Sequence, residues 1–123
     1  MSIPNMKFED LKAWKEARIM TNQIYEICNK KPLSLEFSLS DQLKRASTSV
    51  MANLAEGFER EHKAEKIQFW NIARASAGEV RSILYVISDN NLADSKKIEV
   101  LFKQSTKVSR LCRGLIKSYK SKH

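Results

Sequence analysis

With 123 residues, 42% of them hydrophobic and 29% charged, the chain has the size of one domain with one core and a strongly charged surface. Three glycines and two prolines are too few for a loop-rich or all-β fold. Two cysteines, Cys28 and Cys112, exclude a disulfide scaffold and a structural zinc site and read as reduced core thiols, while the net charge is +8.

Apolar residues recur at helical spacing throughout, which predicts an all-α chain. The first helix is expected over residues 8–29, with Leu11, Trp14, Ala17, Ile24 and Ile27 on one face and Lys30, Lys31 and Pro32 ending it. The second, over 39–56, takes Ser38 or Ser40 as its cap. It buries Leu43, Ala46, Val50 and Leu54 and stops at Gly57, read as a C′ glycine. The third, over 62–88, carries Trp70, Ala73, Ala77, Val80, Leu84 and Ile87 as a heptad seam. Its second apolar stripe, Phe69, Ile72, Ile83 and Val86, either faces the first helix or is covered by another subunit. Asp94 caps the fourth, over 94–120, whose buried face is Leu101, Val108, Leu111, Cys112, Leu115 and Tyr119. Short connections then give a single domain, an up-down-up-down antiparallel four-helix bundle.

The charge is unevenly spread. Residues 1–94 balance 13 Lys and Arg against 13 Asp and Glu, whereas residues 95–123 hold nine Lys and Arg against Glu99 alone. On a helix, Lys96, Lys103, Lys107, Arg110, Arg113, Lys117 and Lys120 fall within an arc of roughly 140° opposite the buried face. Such a stripe suits a polyanion, nucleic acid above an anionic membrane, or is simply a solvated helix face. Membrane binding is disfavoured because the apolar face of this helix is needed for the core. No stretch approaches about 18 apolar residues and the opening residues lack the apolar core of a secretory signal, so a cytoplasmic chain is expected.

Catalytic constellations are not indicated. His62 and His123 stand in no metal-binding spacing, Gly57, Gly78 and Gly114 are isolated, and Ser47, Thr48 and Ser49 have no base at a defined spacing. No cofactor or metal is expected. Asn53 falls three after Val50, with Arg45, Ser49 and Glu56 flanking it and Glu79 among apolar neighbours. Arg45, Asn53, Glu56 and Glu79 predict a buried polar network that fixes helix register, because an unpaired buried polar group is unfavourable by about 1–3 kcal/mol. An enzyme built on Glu56 and Glu79 would instead need a deep polar pocket there.

Phe8-Glu9-Asp10-Leu11-Lys12-Ala13-Trp14-Lys15-Glu16-Ala17 resembles the opening of the bacterial four-helix-bundle family of 23S rRNA intervening-sequence proteins. Gln42-Leu43-Lys44-Arg45-Ala46-Ser47-Thr48-Ser49-Val50, Asn53-Leu54-Ala55-Glu56-Gly57 and Phe69-Trp70-Asn71-Ile72-Ala73-Arg74-Ala75-Ser76-Ala77-Gly78-Glu79-Val80 are similar to its later blocks. Two positions depart from the pattern: Ala75 stands where the family usually has glycine, and Met51 where many members have proline. The resemblance implies a non-enzymatic bundle assembling as a ring-shaped homopentamer. It extends to a related branch, the accessory variability determinants, which serve the reverse transcriptases of diversity-generating retroelements and bind nucleic acid.

The expectation is therefore a homo-oligomeric accessory protein that binds structured RNA or an RNA–DNA hybrid through phosphates, with a reverse transcriptase as a further partner. Lys103, Lys107, Arg110, Arg113 and Lys117 would make the contacts, with Lys44, Arg74 and Arg81 as lesser contributors. Only Tyr119 interleaves with the stripe, so base stacking and sequence preference should be weak. In the alternative, the chain is a protein-docking adaptor whose basic helix binds a partner enzyme.

Overall fold

The computed structural model describes residues 5–122, with side chains described through Ser121. A 3₁₀ turn, Phe8–Asp10, precedes α1 (Lys12–Cys28), and a second, Leu33–Leu35, joins it to α2 (Phe37–Glu59). Then come α3 (Lys63–Asp89) and α4 (Ser95–Lys122). The principal helix pairs are α1 with α2, α2 with α3, α3 with α4 and α4 with α1, a square in which α1 and α3 stand diagonally.

Contacts between neighbours run in opposite chain directions, as an antiparallel bundle requires. Thr21 Oγ1 reaches the Ser47 carbonyl at 3.4 Å while Cys28, further along α1, lies against Ser40. Trp70 meets Tyr119 edge-on and Tyr85 lies tilted against Phe102, which fixes the register of α3 on α4. The α3 seam is buried as its spacing predicts: Trp70, Ala73, Ala77, Val80, Leu84 and Ile87 are all at most 1% exposed. Both cysteines are buried and free.

Three local expectations are corrected. The first helix does not begin at Phe8, because Leu11 adopts extended backbone between the 3₁₀ turn and α1. Ser38 and Ser40 lie inside α2, whose N-cap is Glu36. The Ser40 hydroxyl instead donates to the Leu33 carbonyl at 2.8 Å, pinning the preceding turn. Gly57 does not end α2 either, since the helix continues to Glu59. Glycine is needed there for space. A Cβ would sit 2.5 Å from Trp70 Nε1, which donates to the Leu54 carbonyl at 3.2 Å.

The second α3 stripe does not face α1. Ile83 is buried and Phe69 is half-buried beneath the Arg60 guanidinium, but Ile72 and Val86 remain 42% and 45% exposed.

Candidate nucleic-acid interface

The basic arc of α4 lies on the outside of the bundle, but its neighbours divide it into two halves with different electrostatics. In the first half three cations have an acidic partner, while Lys96, exposed in the first turn, makes no salt bridge among the described residues. Lys97 pairs with Glu26, Lys103 with Glu99 at 3.6 Å, and Lys107 with Glu16 at 3.2 Å. Glu16 also accepts from Gln104 Nε2 at 2.9 Å on both its carboxylate and its backbone carbonyl, clamping α1 to α4. Donation from Gln104, then from Lys107, holds the Glu16 carboxyl below its ordinary value.

The second half is unneutralised. Arg110, Arg113, Lys117 and Lys120 share a shallow groove between α3 and α4 with Arg74, over a floor of Gly114 and Ile116. Among the described residues none of these five cations makes a salt bridge, and no carboxylate lines the groove. Three of them lie in the last turns of α4, where positive charge also complements the helix dipole. Five cations in a concave strip concentrate positive potential, and their donors have the chemistry to hold an anion.

The structure therefore sorts the expected contact residues. Arg74, Arg110, Arg113 and Lys117 come together, joined by Lys120. Lys103 and Lys107 stand further along α4 in their acidic pairs. Lys44 lies on the α1–α2 side, its ammonium 5.0 Å from the Tyr25 ring centroid. Arg81 is half-buried on α3. Tyr119 is buried against Trp70, so it offers no stacking surface to a ligand.

The expected network of Arg45, Asn53, Glu56 and Glu79 does not form within the chain. Arg45 pairs with Asp41 at 2.8 Å along α2, and Glu56 with Arg60, the residue that caps the C-terminal end of that helix, at 2.9 Å. Glu79 is exposed. Asn53 donates to the Ser49 carbonyl and hydroxyl at 2.8 and 3.0 Å, and the Ser49 hydroxyl meets that of Ser76 at 2.9 Å. The link from α2 to α3 is thus Asn53–Ser49–Ser76. A residue four before an asparagine on a helix is its natural partner, and that signal was present in the spacing. Among the described residues no three His, Cys, Asp or Glu side chains converge as a metal site would need. Nor is any helix long and apolar enough to cross a membrane.

A sequence model described as 23S rRNA-intervening sequence protein matches residues 9–114. The chain belongs to that family. Its fold is shared by a crystal structure of a protein of unknown function from the S23 ribosomal protein family of Bacteroides thetaiotaomicron. That protein is 24% identical, with a TM-score of 0.79 over 85% of this chain and 95% of the other. No curated protein gives a significant match. The match to this family covers the blocks that carried the resemblance in the sequence, Phe8 excepted, and α4 through Gly114.

Proposed function

We propose that this member of the 23S rRNA-intervening sequence protein family is a non-enzymatic, cytoplasmic accessory protein. It binds structured RNA or an RNA–DNA hybrid through phosphate contacts in the α3–α4 groove. The observation that carries the reading is the cluster of Arg74, Arg110, Arg113, Lys117 and Lys120, gathered in one groove without acidic partners while Lys97, Lys103 and Lys107 of α4 are paired. The family's name supports RNA as the ligand class. A role beside a reverse transcriptase of a diversity-generating retroelement is the second setting that the same surface would serve.

The protein acts as a homo-oligomer in this reading, most simply a ring-shaped pentamer. The exposed apolar residues Ile72 and Val86 on α3 support a subunit contact. Repetition would multiply the net charge of each chain around the ring.

The test is a fluorescence-anisotropy titration with structured RNA, duplex DNA and an RNA–DNA hybrid, repeated across salt concentrations. About five phosphate contacts predict an affinity that falls roughly 100- to 500-fold between 50 and 200 mM salt. The double variant Arg110→Glu, Arg113→Glu should abolish binding. Affinity that does not change with salt would sink the reading, and a partner protein bound through the same residues would become the account of the groove.

A further inference from the structure

The outer face of α3 and α4 runs on beyond the cation groove. On α3, Arg74, Arg81 and Tyr85 stand seven and four residues apart, which puts them on one stripe. On α4, Phe102, Ser109, Arg113 and Lys120 step by seven, four and seven and form another. The two stripes meet at both ends. Arg74 shares the groove with Arg113 and Lys120. Tyr85, 11 residues further along α3 and so about 16 Å away, meets Phe102 with ring centroids 4.7 Å apart. Arg81 lies between these levels, half-buried and without a salt bridge among the described residues.

Tyr85 is 59% exposed although it leans on Phe102, which itself packs against the core. The ring is thus held in place by a neighbour and open to solvent over most of its surface. A fixed, open ring at the end of a row of cations is a combination that holds unpaired nucleotides, with phosphates on the cations and a base on the ring. Beyond the rings the unpaired cations stop. Lys103 is paired with Glu99 there, and Asp89 follows Tyr85 by four residues. That charge balance offers little to a phosphate, whereas it leaves an uncharged base indifferent.

We propose that Tyr85, supported by Phe102, is a stacking platform for one unpaired nucleobase of the strand whose phosphates lie in the α3–α4 groove. Arg81 holds a phosphate between the platform and the groove. The surface therefore selects unpaired nucleotides, as at a loop, a bulge or an end, over a continuous duplex whose bases are already stacked on one another. The stacking ring that α4 lacks comes from α3. Every base has a π face, so sequence preference stays weak. This rests on the nucleic-acid reading above and adds which part of the nucleic acid is held.

The test separates base from backbone. Anisotropy titrations at fixed salt compare an oligoadenylate with an abasic strand of the same length and backbone. Wild-type protein should bind the oligoadenylate roughly five- to 100-fold more tightly, the range that one base stacked on an aromatic ring supplies. Tyr85→Leu keeps an apolar side chain at this exposed position but removes the π face. It should erase most of that difference and leave abasic binding and its salt dependence unchanged. Tyr85→Phe keeps the ring and should stay within about twofold of the wild type. Light scattering reads the oligomeric state of each variant. Equal binding of both strands by the wild type, a preference that survives in Tyr85→Leu, or a Tyr85→Phe variant as weak as Tyr85→Leu would overturn the platform while leaving the phosphate groove intact. A Tyr85→Leu variant that loses assembly together with binding would place a second copy of the chain on the ring, and would overturn the platform too. Absence of binding to either strand by the wild type would remove both readings.

Discussion

The Lys66 ammonium, on a residue 8% exposed, donates to the Phe58 carbonyl at 2.7 Å and to the Gly57 carbonyl at 3.4 Å, closing the C-terminal end of α2 from the first turns of α3. Its charge lies 5.6 and 5.9 Å from the ring centroids of Phe58 and Tyr119. Burial pulls the Lys66 pKa below the ordinary lysine value, against the opposing pull of Glu59. Lys63, one turn earlier, does the same for α4 by donating to the Lys120 carbonyl at 3.3 Å. Lysines are unfavourable at the start of their own helix, but here they face the negative ends of two antiparallel neighbours.

Lys66→Met keeps the length and most of the packing of the side chain while removing the donor. Two helix-end carbonyls lose a partner, so the variant should lose about 1–3 kcal/mol of stability in urea melts. Lys63→Met, at a more exposed position, should lose less than about 1 kcal/mol. Equal losses would mean that the carbonyl contact of Lys66 is not what holds the end of α2.

Gly57→Ala should destabilise by about 1–3 kcal/mol, because the new methyl group would lie 2.5 Å from Trp70 Nε1 and 3.0 Å from the Lys66 carbonyl. The indole would have to leave the Leu54 carbonyl, which it now meets at 3.2 Å. A melt of Gly57→Ala beside Gly114→Ala tests the contrast: the first variant falls and the second rises. The same substitution thus reports crowding at one site and open space at the other.

What the sequence reveals, and what it hides, follows from the range of the interactions involved. The α3 seam was legible because side chains three and four apart on a helix share a face whatever the neighbours do. Lys66 stands four before Trp70 and so on the seam itself, but its role was not legible, because lysine reads as a surface residue until its carbonyl acceptors are known. The ion pairs Arg45–Asp41 and Glu56–Arg60 each span one turn and take two members out of the expected network. The division of the α4 arc was not legible. It depends on which acids α1 brings alongside, Glu16 and Glu26, and on the register that brings Arg74 into the groove.

Glu16→Gln should act on stability and on binding with opposite signs. The carboxylate is held by Gln104 and Lys107, with its pKa below the ordinary 4.5. A depressed carboxylate contributes stability that is complete above its unfolded pKa and is lost as pH falls through the folded one. At pH 7 the variant should therefore be less stable by up to about 1 kcal/mol, and in acid below that window the difference should vanish. It also releases Lys107, so the salt dependence of RNA binding should steepen by up to about one contact. A stability difference that persisted unchanged at the acid end would rule out the charged contact as its cause.

Cys112 should be chemically silent in the folded protein. Burial pushes its thiol up to about 12, with Arg74 opposing, and the residue is fully shielded. The thiolate is the reactive form, so iodoacetamide at pH 8 should label Cys112 only after denaturation. Cys28, also buried, has its thiol raised by the same cause. Rapid labelling of either in native conditions would indicate that the bundle opens locally on that timescale.

Charge reversal along the chain should rank the cations by their place in the fold and not by their order in the stripe. Arg113→Glu and Lys117→Glu put a carboxylate inside the groove and should each weaken RNA binding by more than tenfold. Lys103→Glu removes a cation already beside Glu99, and Lys44→Glu changes the opposite side of the bundle, so both should stay within about threefold of the wild type. Arg74→Glu decides between a single-helix stripe and a two-helix groove. If α4 alone binds, this α3 variant behaves like Lys44→Glu; if the groove binds, it behaves like Arg113→Glu. The groove geometry, in which Arg74 shares one wall-to-wall space with Arg110 and Arg113, predicts the second outcome.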